Sequence, residues 1–178
     1  MISDTLLFCK PTPEQAAAIA AYRAEFEDAD ELHGCGSLKR TPAPMDWLRQ
    51  VALLSRKDTL PDPEKYVVSS QYLCLRPEDG KILGMLQLRH EMNPFMAKYI
   101  GQIGYSVCPS ERRKGVASWM LRKGLAEARK LGLDRVLLSC EASNTASRKT
   151  IQSCGGVYER TEYLAETGET LDLYWIPL

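Results

Sequence analysis

The strongest constraint on the fold is a strand, a proline and a long amphipathic helix in direct succession near the middle of the chain. Residues 100–108 are rich in strand-forming side chains, and Pro109 ends that strand. Small or apolar residues then recur at helical spacing between residues 112 and 132. Residues 135–140 predict the next strand. Because a helical crossover usually joins strands of one sheet, this β-α-β order predicts an α/β fold.

Further strands and helices are predicted on both sides of this unit. The predicted strands are residues 2–9, 66–75, 81–90, 157–165 and 170–176, with an antiparallel hairpin formed by the second and third. The predicted helices run from the Thr12 cap to about residue 31, over residues 45–55, and from a Ser143 or Asn144 cap to residue 154. A loop or single helical turn is expected after Asn93. We therefore expect one domain, residues 1–178, with the proline-rich residues 37–63 as an excursion that caps it.

The composition excludes several classes of protein. The 178 residues include 23 basic and 23 acidic side chains, so the formal charges cancel, and 44 % of the residues are hydrophobic. These values argue against a disordered chain and against a general nucleic-acid coat. No apolar run reaches the roughly 20 residues that span a bilayer, and the first residues lack the basic start of a secretory signal. We expect a cytoplasmic protein without a membrane partner.

The cysteines predict buried thiols. Six are widely spaced, and none forms a C-x-x-C pair. His33 and Cys35 are metal-ligand types that lack a second pair, so no metal is expected.

The turn before the long helix predicts an anion site. A helix N-terminus offers unpaired N–H groups and about half a positive charge. Gly115 lets a ligand approach the backbone closely, and Arg112, Arg113 and Lys114 supply cationic donors. Cations are unfavourable at a helix N-terminus unless an anion joins them, so we interpret the segment as a cradle for a pyrophosphate. It lacks the G-x-x-x-x-G-K-[ST] pattern of a Walker A loop.

The order of motifs resembles that of a known family. R-x-x-G-x-A (Arg112, Gly115, Ala117) follows a strand and a proline, and Asn144 precedes a helix that ends at Gly155-Gly156. This arrangement resembles the acetyl-coenzyme A signature of the GNAT superfamily of N-acetyltransferases. The stretches 88–95 and 103–107 are similar to a poorly characterised bacterial subgroup of it. The resemblance implies a mixed, mostly antiparallel central sheet in which residues 100–108 and 135–140 form a splayed parallel strand pair, with residues 99–156 as the cofactor-binding core.

The resemblance also implies a set of cofactor contacts. Acetyl-coenzyme A as co-substrate would lie in the gap between the splayed strands, with pantetheine amides paired to strand backbone and pyrophosphate on the helix N-terminus. Asn144 would hydrogen-bond the pantetheine arm and Arg148 would reach a phosphate; a plain helix cap is the alternative role of Asn144. The full set of cofactor candidates is Tyr105, Ser106, Val107, Arg112, Arg113, Lys114, Gly115, Val116, Ala117, Ser118, Asn144, Ser147 and Arg148.

The implied reaction is direct acetyl transfer to a primary amine, of a small molecule or of a peptide or protein, in a ternary complex. Many members carry a tyrosine acid seven residues after the asparagine, where this chain has Ile151, and some carry a glutamate base where it has Ser139. The candidate replacements are His90, Glu91, Tyr105 and Glu141. Each of them also has an ordinary structural or solvated role as an alternative.

Two other functions stay open at this point. The departures at Ile151 and Ser139 leave room for a non-catalytic module that binds or senses acyl-coenzyme A. The basic residues near the long helix suggest a nucleic-acid-binding domain, but no aromatic residues interleave with them, so nucleic acid is not expected as a partner. Many relatives are dimers, which leaves a homodimer open.

Overall fold

The fold consists of two β-sheets with helices on their faces. The computed structural model describes residues 6–41 and 43–178. Within them the strands are β1 (Leu7–Cys9), β2 (Ser69–Arg76), β3 (Lys81–Arg89), β4 (Ile103–Val107), β5 (Arg135–Glu141), β6 (Val157–Leu164) and β7 (Glu169–Pro177). The α-helices are α1 (Ala16–Ala24), α2 (Pro44–Leu54), α3 (Val116–Lys130) and α4 (Thr145–Ser153). Residues 2–5 of the predicted first strand and Pro42 of the proline-rich excursion lie outside the described residues.

Every strand ladder is antiparallel among the described residues. One sheet has the order β1-β2-β3-β4 and the other the order β5-β7-β6. The predicted hairpin of β2 and β3 is confirmed, with Tyr72 opposite Leu86. This arrangement confirms the predicted mixed α/β fold with a mostly antiparallel sheet.

The two sheets meet at one point, just before β4 begins. Gln102 N–H donates to the Leu137 carbonyl at 2.7 Å, and a single isolated bridge joins Gly101 to Leu138. That bridge is antiparallel in sense and involves Gly101, which follows a π-helical turn (Met96–Ile100), has φ +76° and lies outside β4. The predicted parallel pair of residues 100–108 and 135–140 forms no ladder within the described residues. A Cβ at Gly101 would lie 2.4 Å from the Leu137 carbonyl oxygen, so only glycine permits this approach. Along the rest of the described strands β4 pairs only with β3 and β5 only with β7, so their edges part.

Two apolar clusters hold the helices against the sheets. On one face, α3 packs through Met120, Leu121 and Leu125 against Leu86 and other residues of β2, β3 and β5. The other face carries α1 and α2, whose Ile19, Tyr22 and Trp47 pack with Met85 and Leu73. Strands β2 and β3 therefore have one face turned to α3 and the other turned to α1 and α2.

Two helix boundaries differ from the predictions. The first helix ends at Ala24 and not near residue 31, because Asp28 adopts an extended conformation and its side chain accepts from Asp30 N–H at 2.8 Å, which starts a separate 3-10 turn (Ala29–Glu31). A run of acidic residues is also unfavourable at the negative end of a helix. The long helix begins at Val116, so the basic residues 112–114 precede it.

Candidate active site

The backbone before α3 forms an open turn with unused N–H groups. Arg113 has φ +61° and Gly115 has φ +83°, and both values lie in the left-handed region that ends any helical continuation toward residue 112. The first intrahelical bond runs from Trp119 N–H to the Gly115 carbonyl at 3.1 Å. The N–H groups of residues 116–118 therefore have no intrahelical acceptor, and no side chain caps the helix. Residues 112–115 are exposed, so this N-terminus is open to solvent.

The three basic side chains of this turn have different environments. Arg112 donates to Glu31 at 2.7 Å and to the Val107 carbonyl at 3.2 Å. Lys114 forms an ion pair with Glu111 at 2.9 Å. Arg113 is exposed and makes no hydrogen bond or ion pair within the described residues, so its cation is available to a ligand.

The buried carboxylate of Glu111 links this turn to the first sheet. Glu111, whose side chain is 8 % exposed, forms ion pairs with Lys114 at 2.9 Å, Arg76 at 3.3 Å and Lys81 at 3.4 Å. The hydrogen bond from Lys114 is the main reason that the pKa of Glu111 lies below its ordinary value, and Lys81 and Arg76 add to it. The carboxylate thus stays ionised and connects β2, β3 and the start of α3.

Tyr105 crosses the space between the two sheets. Its hydroxyl group lies 2.9 Å from the Ser147 hydroxyl on α4. Burial raises the pKa of Tyr105 to about 12, so the phenol is protonated at neutral pH. Asn144 caps α4 by accepting from Ser147 N–H at 3.0 Å, and its side-chain amide NH₂ makes no hydrogen bond within the described residues. The Tyr105 hydroxyl and the Asn144 cap of α4 therefore lie close to each other, beside the edges of β4 and β5.

Three other cofactor candidates have intramolecular partners. The Ser106 hydroxyl donates to the His33 carbonyl at 2.6 Å and lies 2.9 Å from the Tyr22 hydroxyl, so its side chain faces α1. Arg148 donates to the Ala142 carbonyl at 3.1 Å and to Thr145 at 3.3 Å. The Val107 carbonyl accepts from Arg112. Their contacts with a cofactor stay predictions.

The remaining catalytic candidates do not come together with Tyr105. The His90 ring nitrogen Nε2 lies 2.9 Å from the Ser70 hydroxyl of β2, and burial lowers the pKa of His90, which keeps it neutral at pH 7. Glu91 is exposed beyond the end of β3, and Glu141 is exposed at the end of β5, where it accepts from Ser143 at 3.4 Å. No direct contact joins any of these three to the Tyr105 hydroxyl among the described residues, so their catalytic roles stay predictions.

The two residues that depart from the expected catalytic pattern have structural roles. Ile151 is fully buried in the cluster around α3. The Ser139 hydroxyl donates to the Ile100 carbonyl at 2.9 Å, next to the point where the sheets meet.

Sequence reasoning missed a polar patch on the sheet face turned to α2. Ser69 and Gln71 of β2 lie opposite Arg89 and Gln87 of β3, and we call these four residues the polar floor. Gln87 donates to Ser69 at 3.2 Å and accepts from Arg89 at 3.2 Å. A signal for it was present in β3, where Gln87 and Arg89 alternate with the buried Leu86 and Leu88.

The turn before α3 has donors that fit the pyrophosphate of coenzyme A. A pyrophosphate is an acceptor of N–H donors, and the turn before α3 offers such donors beside the free Arg113 cation. No group of three metal-ligand side chains occurs within residues 6–41 and 43–178. Among those same residues no helix has the length and apolarity to cross a membrane.

The comparison with family models identifies one family, and the comparison with solved structures shows the fold. A model of the acetyltransferase (GNAT) family matches residues 38–155, more than half of the chain. The structure is similar to the ribosomal-protein-S5-alanine acetyltransferase of Vibrio fischeri (TM-score 0.72, 19 % identity, 99 % of this chain and 95 % of that one). It is also similar to RimL, the ribosomal L7/L12 alpha-N-protein acetyltransferase in complex with coenzyme A (TM-score 0.72, 17 % identity, 100 % and 97 %).

A third similar structure is an N-acetyltransferase of Staphylococcus aureus Mu50 (TM-score 0.67, 18 % identity, 97 % and 98 %). The search of curated proteins found no match. Because these identities are low, the structural likenesses establish the fold.

Proposed function

Because the chain belongs to the acetyltransferase (GNAT) family, we propose that it transfers an acetyl group from acetyl-coenzyme A to a primary amine by direct attack in a ternary complex. The open N-terminus of α3 carries this proposal, since its free N–H groups lie at the end of β4, whose edge parts from β5. The coenzyme A complex of RimL, a protein of the same fold, supports it. The acceptor is an amine of a small molecule or of a peptide or protein.

Residues of this chain would hold the co-substrate at both ends. The N–H groups of Val116, Ala117 and Ser118 would donate to the pyrophosphate, and Arg113 would add a cationic donor. The free amide NH₂ of Asn144 would donate to the pantetheine arm. Acetyl-coenzyme A itself supplies the activated thioester.

The chemistry requires a neutral amine and a proton for the leaving thiolate. A lysine-like amine has a pKa of about 10.4, so deprotonation at pH 7 costs about 4–5 kcal/mol. The amine nitrogen forms the new C–N bond as the C–S bond breaks, and the surplus proton ends on sulfur. We propose Tyr105 as the proton donor, because its buried phenol stays protonated and lies next to the α4 cap.

His90, Glu91 and Glu141 remain alternative acid–base groups. His90 is neutral at pH 7 and could accept a proton, although Ser70 occupies its Nε2. Substitution of each residue distinguishes these groups, because loss of an acid or base lowers kcat more than it lowers the affinity for coenzyme A.

The test is release of the free thiol from acetyl-coenzyme A in the presence of a panel of primary amines. We expect turnover with at least one amine, and we expect Tyr105→Phe to lower kcat at least tenfold with little change in coenzyme A affinity. Tyr163→Phe is the matched control, since Tyr163 is an exposed tyrosine of β6 outside the candidate site and its loss should leave kcat unchanged. Equal kcat for Tyr105→Phe and the parent would exclude Tyr105, and a drop confined to His90→Ala, Glu91→Gln or Glu141→Gln would assign the role elsewhere.

A second candidate function is a non-catalytic acyl-coenzyme A sensor. The buried Ile151, where many relatives carry a tyrosine acid, and the structural Ser139, where some carry a glutamate base, favour it. Tight coenzyme A binding without thiol release on any amine would support the sensor and contradict the enzyme.

A further inference from the structure

Gln102 lies between the two sheets at the point where they part. It directly precedes β4 and is 4 % exposed. Its N–H group donates to the Leu137 carbonyl of β5 at 2.7 Å, and its side-chain oxygen Oε1 accepts from the Leu137 N–H group at 3.3 Å. Because that N–H group can only donate, the contact determines which end of the side-chain amide is oxygen. The side chain therefore reaches the edge of β5 with a defined orientation of its NH₂ group.

The NH₂ group of Gln102 has no acceptor among the described residues, unlike those of two other buried glutamines. Gln71 donates to two backbone carbonyls at 2.8 and 3.0 Å, and Gln87 donates to the Ser69 hydroxyl at 3.2 Å. Within residues 6–41 and 43–178, the only fully enclosed side-chain polar atom without a partner is Gln71 Oε1. The unpaired NH₂ group of Gln102 is therefore still accessible. A buried amide is normally fully paired, so this one is available to a ligand or a water molecule.

The path proposed for acetyl-coenzyme A leads to this amide. With the pyrophosphate on the N-terminus of α3, the pantetheine arm begins near the end of β4 and runs back along the edge that parts from β5. The Gln102 carbonyl accepts from the Arg89 N–H group of β3 at 2.8 Å, and alternate residues of a strand turn their backbone groups to the same neighbour. The backbone groups that face the gap are therefore those of Ile103, Tyr105 and Val107.

The length of the pantetheine arm brings the thioester to the start of β4. When extended, the arm is as long as about four residues of strand. Val107 and Ile103 are separated by that number of positions along β4. A thioester whose pantetheine arm begins beside Val107 would therefore lie next to Gln102.

We propose that the Gln102 side-chain amide is a catalytic residue that donates a hydrogen bond to the thioester oxygen of acetyl-coenzyme A. This inference rests on the proposed acetyl transfer. When the amine nitrogen forms its bond to the carbonyl carbon, the carbonyl π electrons move to oxygen, and the NH₂ group stabilises the resulting oxyanion. These electrons return to the carbonyl as the C–S bond breaks, and sulfur leaves with the bonding pair and takes up a proton. Gln102 neither gives nor takes a proton in this sequence.

The charge beside Gln102 also favours an oxyanion. The Arg89 guanidinium donates to the Gly101 carbonyl at 3.4 Å and to the Gln87 side-chain oxygen at 3.2 Å, and both acceptors are neutral. Burial lowers the pKa of Arg89 to about 10, which leaves it charged at neutral pH. A donor and a cation that are already in place stabilise a developing negative charge without reorganisation during the reaction.

Two substitutions separate the donor from the contact with Leu137. Gln102→Met removes both, whereas Gln102→Glu, measured at about pH 8 where a carboxyl group is ionised, keeps an acceptor for the Leu137 N–H group. Because one donor to an oxyanion typically contributes about 100-fold or more to kcat, we expect both variants to lose about that factor. Their coenzyme A affinity should stay within about threefold of the parent.

The matched control is Gln71→Met, since Gln71 is a buried glutamine whose donors are already used within the protein. It should leave kcat within about twofold of the parent. Parental kcat in Gln102→Glu together with a loss in Gln102→Met would show that only the contact with Leu137 matters, and would contradict the inference.

A spectroscopic measurement tests the donor without any acetyl transfer. Acetyl-coenzyme A labelled with carbon-13 at its carbonyl is bound to the parent and to Gln102→Met, and the infrared carbonyl band is compared. We expect the band at lower frequency in the parent, because a hydrogen bond to the oxygen weakens the C=O bond. If no amine is acetylated, that difference would support the donor while the enzymatic proposal fails. The same band position in both proteins would overturn the inference even if turnover is observed.

Discussion

At the scale of single residues, two glycines shape the backbone around the candidate site. Gly101 permits the contact between the sheets, and Gly115 gives the left-handed turn that leaves the N–H groups of α3 exposed. Arg113 adds a second left-handed residue at φ +61°, which is uncommon for a side chain of its size. Successive turns of this kind aim backbone N–H groups toward one point and form anion sites.

Gly115→Glu should remove coenzyme A binding. The substitution places a strained side chain and a negative charge on the open turn, so we expect a loss of affinity on the order of 100-fold. Calorimetric titration with coenzyme A measures it. Gly132→Glu is the matched control, because Gly132 has φ +79° just past the other end of α3 with no atom within 4 Å of an added Cβ. Equal affinities of the two variants would remove Gly115 from the site.

Single-residue contacts set the limit of sequence-based prediction. The Asn144 cap and the exposed Gly115 turn were predictable, because local backbone rules govern both. The partner of His90 was not, since Ser70 lies twenty positions away and meets it only through the register of β2 and β3. The polar floor likewise depends on which face of each strand turns to α2, and alternation alone does not identify that face.

At the scale of elements, carboxylates connect the helices to the turn before α3. Glu111 joins β2 and β3 to that turn, and Glu25 at the end of α1 joins it through Lys81 at 2.9 Å and the Ser110 hydroxyl at 2.8 Å. Prediction of α3, α4 and the central hairpin succeeded because each has a local signal: the helical period in α3, the Asn144 cap in α4 and the turn between β2 and β3. The end of α1 was wrong, because the local bond between Asp28 and Asp30 competes with the helix.

Glu111→Gln should destabilise the turn before α3. It keeps the shape and removes the charge that three cations share, so we expect about 1–3 kcal/mol less stability and weaker coenzyme A binding. Chemical denaturation and calorimetry measure the two effects. Asp46→Asn, which breaks an exposed pair with Arg49 on α2, should change neither. Unchanged coenzyme A affinity in Glu111→Gln would show that the turn needs no support from the carboxylate.

Glu25 should make the free energy of unfolding depend on pH in the acid range. Hydrogen bonds from Cys108, Lys81 and Ser110 lower the pKa of Glu25 to about 2, against about 4.3 in an unfolded chain. Its contribution is therefore complete above about pH 4.3 and is lost as the pH falls toward 2. Unfolding midpoints across this range should show that Glu25→Gln is less stable than the parent at pH 7 and that the difference shrinks below pH 4.3. Glu27→Gln, an exposed neighbour, is the control, and a constant difference across the range would contradict this account.

At the scale of the whole molecule, the two antiparallel sheets share one bridge within residues 6–41 and 43–178 and then part. The helices cover opposite faces of β2 and β3: α3 packs on one face, whereas α1 and α2 pack on the other, where α2 covers the polar floor. The order of elements predicted this α/β architecture, because short connections and regular periods leave few topologies. The polar floor was not predictable, since it combines chain segments far apart in sequence. A homodimer stays a prediction.

The most direct test of the central proposal is a crystal structure of the protein with acetyl-coenzyme A. We expect the pyrophosphate oxygens to lie about 3 Å from the N–H groups of Val116, Ala117 and Ser118, with the pantetheine arm between β4 and β5. A pyrophosphate bound elsewhere on the molecule, with the N-terminus of α3 free of ligand, would contradict the account.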